Sequence, residues 1–254
     1  MIRHLCPLVA AVVLFAACGQ EPRRERQSPS DAPASGTYPV RWSKALLLPA
    51  LTAIDTELAR KFETPIEVVG SSERKATVGD CHSALELLAN GFEAPRDVEQ
   101  RVLRAESIRC LALRALRTAA PARRSAVNAF PLSEKVLEVL PPSLAAAASD
   151  EALQRLREAE ARGQSWRDVV GNAVMTVEPA AGDRPDSSLV VESRGWRSRV
   201  TVYAQADLDG DGNEDLMLRV DEEAVRGTYR NHRLVIVTRD PGRESFRTVR
   251  EVRP

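Results

Sequence analysis

Histidine is scarce in this chain: there are three in 254 residues, and only His82 and His232 lie beyond the N-terminal segment. That leaves little material for a histidine base or a histidine metal cluster. Gly-x-Ser-x-Gly, His-Glu-x-x-His and Gly-x-x-x-x-Gly-Lys segments are also missing. Net charge is lacking too, because 36 basic residues balance 36 acidic ones. Lysine is rare, and the abundant arginines are interleaved with Glu and Asp. They read as solvated faces, and such a chain has no strong field with which to attract nucleic acid. No apolar run reaches the roughly 20 residues that a permanent membrane helix needs. No segment recurs at a fixed period, which excludes a repeat array.

One shorter apolar run is present. Met1-Ile-Arg-His4 is a positive leader and Leu5 to Ala17 is an apolar stretch of signal-peptide length, so residues 1–17 read as a signal peptide. The stretch ends in Leu14-Phe-Ala-Ala-Cys-Gly19, which resembles the lipobox of bacterial lipoproteins, although Phe15 stands where leucine is usual. The resemblance implies that Cys18 becomes the new N-terminus and that its thiol carries a diacylglyceryl group. Gly19 in place of aspartate implies the outer membrane, with the protein held on its periplasmic face through membrane lipid. The alternative is an ordinary cleaved signal and a secreted soluble protein. Several acyl chains on one residue give stable anchoring at about 0.8 kcal/mol per buried methylene. Residues 18–40 then read as a lipidated cysteine and a disordered tether, since Gln20 to Gly36 has almost no apolar residue to offset its ordering entropy.

The densest chemistry is Asp207-Leu-Asp-Gly-Asp-Gly-Asn-Glu-Asp215. Carboxylates at alternating positions of a tight loop repel one another, and a hard cation that takes six to eight oxygen ligands resolves the conflict. The spacing therefore points to Ca²⁺. As an EF-hand the loop fails, because the twelfth position is Leu218 where a bidentate Glu is required. The flanks are strand-like, with alternation in Arg199 to Ala206 and an apolar run in Leu216 to Val220. This strand–loop–strand setting resembles the FG-GAP/VCBS calcium loop of β-propeller blades. The resemblance implies Asp207, Asp209, Asp211 and Asp215 as side-chain ligands, with the Asn213 carbonyl as a fifth. Gly212 supplies the positive φ of the turn. A propeller needs several such loops, and only one is present. A solvated acidic hairpin without metal is the competing reading.

Removal of the signal and tether leaves roughly 215 residues, enough for one two-part domain or two small ones. Residues 41–163 read as helical, with candidates at Ser43–Phe62 (interrupted or delayed by Pro49), Cys81–Asn90 behind an Asp80 cap, Pro95–Ala119, Leu132–Val139 and Asp150–Arg162. In the longest candidate Val98, Val102, Ala105, Ala112 and Leu116 form the expected apolar stripe. Residues 164–254 read as antiparallel β, with strands near 188–192, 198–205, 216–220, 232–239 and 245–251 and a turn at Asp240-Pro-Gly-Arg243. The expected class is α+β, about four to five helices followed by an antiparallel sheet.

Cys6 leaves with the signal and Cys18 with the lipid. Cys81 and Cys110 remain, and in an oxidising compartment they pair as a disulfide or stay as two buried thiols. Metal ligation by Cys81 and His82 is disfavoured, since neighbours on a helix point apart. Three functions fit: a non-catalytic binding or structural lipoprotein of the cell envelope with a periplasmic protein partner, an immunity or inhibitor lipoprotein against a cell-wall hydrolase, and a calcium-dependent hydrolase.

Overall fold

A computed structural model describes residues 36–127, 133, 135–180 and 186–252. The signal segment, Cys18 and most of the expected tether lie outside the described residues. The chain is already engaged at Tyr38, inside the expected tether, where its N–H and C=O exchange bonds of 2.7 and 2.9 Å with Ala122.

The molecule is a mixed α+β fold dominated by an antiparallel sheet. The first half opens with β1 (Arg41–Trp42), two 3₁₀ turns at Lys44–Leu46 and Leu51–Ala53, and α1 (Ile54–Ala59). Pro49 lies between the two turns and lacks the N–H that a continuous helix over 43–62 would need, so the helix starts only after it. A hairpin of β2 (Ile66–Val69) and β3 (Lys75–Val78) follows, inside the region expected to be wholly helical. Its alternation is confined to four residues per strand, too short to stand out beside the helices.

Next come α2 (Cys81–Ala89), α3 (Asp97–Leu116), α4 (Val136–Val139), α5 (Asp150–Ala161) and α6 (Trp166–Val170). α2 begins as expected, because the Asp80 carboxylate accepts from the Ser83 N–H at 2.8 Å and the Ser83 hydroxyl returns a bond to Asp80. The stripe expected on α3 holds at Ala112 and Leu116, which are buried, and fails at its N-terminal end. Val98 and Val102 are 62% and 48% exposed, and the buried face runs instead through Leu103, Ser107, Ile108, Cys110, Leu111 and Leu113. A 20-residue helix carries apolar residues on more than one side. The buried side is the one that carries Cys110, whose disulfide to Cys81, with Cα atoms 5.2 Å apart, ties the helix to α2.

The second half is a meander: β4 (Val174–Glu178), β5 (Ser188–Ser193), β6 (Trp196–Ala206), β7 (Asp215–Ala224), β8 (Arg230–Thr238) and β9 (Arg247–Val252), each antiparallel to the next. β1 adds to β6 through Arg41–Gln205 and Trp42–Ala204. The stretches Leu216–Leu218 of β7 and Leu234–Val237 of β8 are apolar on both faces, because both are covered. Tyr203, Met217, Leu234 and Ile236 pack against the 3₁₀ turns, α1 and α3. Leu216, Leu218, Val220, Val235 and Val237 face Leu137, Leu140, Leu144, Trp166 and Phe246. The sheet thus joins the helical and strand regions in one compact unit. Asp240 to Arg243 forms the expected turn, with Arg243 N–H donating to Asp240 at 3.0 Å and Gly242 at φ +83.

Candidate metal centre

The Asp-rich loop joins β6 to β7, neighbours in the middle of the sheet, with Ala206 and Asp215 as the last register pair. Local chemistry explains its shape. Asp207 accepts from the N–H groups of Gly210 and Gly212 at 2.7 and 3.0 Å, Asp209 from Asp211 at 3.1 Å, and Asp211 from Asn213 at 2.7 Å. Each aspartate therefore stitches the backbone two to five residues ahead of it. Gly210 and Gly212, at φ +86 and +83, supply the left-handed turns that a side chain would resist.

This folding draws carboxyl oxygens of Asp207, Asp209 and Asp215 to within 4.8 Å of one another, a spacing that can hold a metal ion. Asp207 and Asp215 are buried and Asp209 is exposed, so the cluster opens to solvent on one side. Asp211 lies outside that trio. Both of its oxygens are turned to Asn213, one to the N–H and one to the side-chain amide at 2.8 Å.

Asp215 is the most constrained of the set. It is fully buried, and Oδ2 accepts from Leu208 N–H at 2.8 Å. Oδ1 is buried with no hydrogen bond of ordinary geometry, and so is Oδ1 of Asn213. Burial pushes the Asp215 carboxyl up to about 6. The Thr238 hydroxyl across the strand pair and the Leu208 amide pull the other way, and Asp209 and Asp211 raise it further. Buried carboxylates gathered this closely are costly to keep charged, and carboxylate oxygens are the ligands a hard cation uses. On chemistry and placement the donor set fits a divalent cation bound by oxygen. Its identity rests on the spacing and resemblance set out above.

The back of the loop is clamped by the chain that follows α3. Ala120 and Asp207 exchange bonds of 3.0 and 2.9 Å, Arg123 and Arg124 N–H groups reach the Gly212 carbonyl, and Glu214 N–H donates to Arg124 at 2.8 Å. Beneath it Glu214, with no exposed surface, accepts from Arg41 of β1 at 2.7 Å and from the Ser125 hydroxyl. Loop, β1 and the segment behind α3 are therefore one hydrogen-bonded unit.

Two polar networks were not foreseen. His232 meets Asp221 at 2.7 Å, and Arg219 bridges Asp221 to the Tyr203 hydroxyl, each at 2.7 Å. Burial would raise Asp221, but His232 and Arg219 hold it below the usual carboxylate range. On the other face the buried Arg233 pairs with Glu222 and Glu251 and donates to the carbonyls of Ser143 and Ala145. The alternation of β7 carried a signal, since Arg219, Asp221 and Glu223 share one face opposite Leu218, Val220 and Glu222. His82 heads α2, away from the cluster in sequence and element. Comparison with protein-family models, with curated proteins and with solved structures finds no match.

Proposed function

We propose that this chain is a lipid-anchored protein of the bacterial cell envelope, held at the periplasmic face of the outer membrane through acylated Cys18, whose sheet is locked by one structural Ca²⁺. In this reading Asp207, Asp209 and Asp215 hold the ion. Asp211 turns from Asn213 to join them, and the Asn213 carbonyl completes the protein share. The ion neutralises the loop and fixes the register of β6 and β7, and the protein acts by binding a periplasmic partner, without catalysis. Asp215 carries the reading: it is a fully buried carboxylate, set within 4.8 Å of two more carboxylates. The buried Cys81–Cys110 disulfide agrees with an oxidising compartment. Among the described residues no helix is long and apolar enough to cross a membrane.

A ligand bound only by the native state stabilises it by RT ln(1 + [L]/Kd), about 2.7 kcal/mol at a hundredfold excess over Kd. For a domain of this size that is a rise in Tm of about 5–10 °C. Calcium is expected to raise Tm by that amount over chelator, and Asp209→Ala to abolish the difference. Asp209 is the exposed member of the trio, so its loss leaves the core intact. Equal melting in calcium and in chelator refutes the reading.

A further inference from the structure

A half-open cavity of about 470 Å³ lies on the helical side of the sheet, where the first 3₁₀ turn, the chain around residues 60–66, α3 and the strands β6 and β7 meet. Its size is within the roughly 300–1,000 Å³ of pockets that bury small ligands. None of its lining belongs to the metal cluster. On α3 the lining residues are Val102, Ala105, Glu106 and Arg109, the spacing of a single helix face. Along that face the wall changes from aliphatic to charged over about 10 Å.

At the aliphatic end the protein leaves apolar surface in water. Val102 is 48% exposed, and Val98 one turn earlier is 62% exposed. Leu47, at the rim, is 64% exposed and held at φ 53, ψ 27, a left-handed conformation unusual for leucine. At the other end basic groups dominate: Arg60, Lys61, Arg109 and Arg219 against Glu63 and Glu106. Arg60 and Lys61 are engaged by Glu57 and Asp80. Arg109 comes from α3 and Arg219 from β7, and both are only partly engaged. Arg109 uses Nε on Glu106 at 3.2 Å and Nη1 at 4.0 Å from Glu57. Arg219 uses Nε on Asp221 and Nη1 on Tyr203. Among the described residues neither Nη2 has a protein partner. Tyr203, which brings Arg219 to this wall, is the bulged residue of β6 between Val202 and Ala204.

We propose that this cavity binds a single apolar chain ending in a carboxylate, its chain along Val102 and Leu47 and its head between Arg109 and Arg219. Paired guanidinium groups match a carboxylate in both geometry and charge. The proposal is independent of the calcium reading, and its titrations are run without added calcium, which would precipitate dodecanoate as a soap.

The test is calorimetric titration of the full-length protein with dodecanoate, dodecanol and dodecyltrimethylammonium, the alcohol within its solubility and the two ions below their micelle-forming concentrations. Dodecanoate is expected to bind one per chain, at least tenfold tighter than dodecanol, and the cation not at all. Arg109→Gln should erase the preference for the acid by about tenfold, in keeping with loss of a hydrogen bond to a charged group. Val102→Asp, a change at a half-exposed site, should weaken dodecanoate with Tm little changed. Absence of saturable dodecanoate binding, equal affinity for acid and alcohol, or indifference to both substitutions overturns the proposal.

Discussion

At the head of α2, Asp80 accepts from Lys61 Nζ at 2.7 Å and caps the Ser83 N–H, and these contacts, Lys61 first, hold its carboxyl far below the ordinary 3.8. A carboxylate depressed in the folded state contributes stability above its unfolded value, and that contribution fades as pH falls below it. Asp80→Ala is therefore expected to cost about 1 kcal/mol near pH 7, the usual worth of such a cap. The gap to the unsubstituted protein should narrow as pH drops below about 4. Denaturant melts of both proteins at pH 7 and pH 3 read this directly, and an unchanged gap excludes the ionised cap as its source. Asp80 was legible because a cap is a local device: carboxylate, turn and helix start lie within four residues. Asp221 and Arg233 were not, because their partners lie across strands, and a single sequence gives no register between strands.

Among the elements, the disulfide is the firmest link between α2 and α3, and both sulfur-bearing residues are fully buried. It closes a loop with a sequence separation of 29, which in the chain-entropy picture is worth about 3–4 kcal/mol. Cys81→Ala with Cys110→Ala should lower stability by about that amount in denaturant titration, and a loss below about 1 kcal/mol would show that packing alone holds the helices. The pair was legible by elimination among four cysteines. The face of α3 was not, because Val98, Val102 and Leu103 are equally apolar and only the partner layers decide which of them is covered. The strands of the meander were found nearly in place because each alternates or runs apolar over five residues or more. β4 escaped notice since, at the sheet edge, Val174 and Val177 are exposed at 67% and 42% and no buried face marks it.

For the molecule as a whole, the proposed anchor and the proposed metal site are separable. Cys18→Ser removes the acyl acceptor and nothing from residues 36–252, so it is expected to release the protein from the membrane fraction with its Tm unchanged. Retention of the variant with outer membranes contradicts the anchor. The Asp-rich loop could be read from the sequence because its carboxylates lie within nine residues, whereas its setting could not. The clamp from Ala120 to Ser125 and the support of Glu214 by Arg41 join residues about 90 and 170 positions apart. The cavity beside α3 was equally invisible, being assembled from five separate segments.

The most direct measurement is calorimetric titration of the chelator-treated protein with Ca²⁺, beside the Asp215→Asn variant. Burial already drives the Asp215 carboxyl toward its neutral form, so asparagine is tolerated by the ion-free fold while one charged ligand is lost. The expected result is one Ca²⁺ per chain, preferred over Mg²⁺, with affinity lowered at least tenfold in Asp215→Asn at unchanged folding. Absence of saturable binding, or binding indifferent to Asp215→Asn, contradicts a calcium-locked sheet.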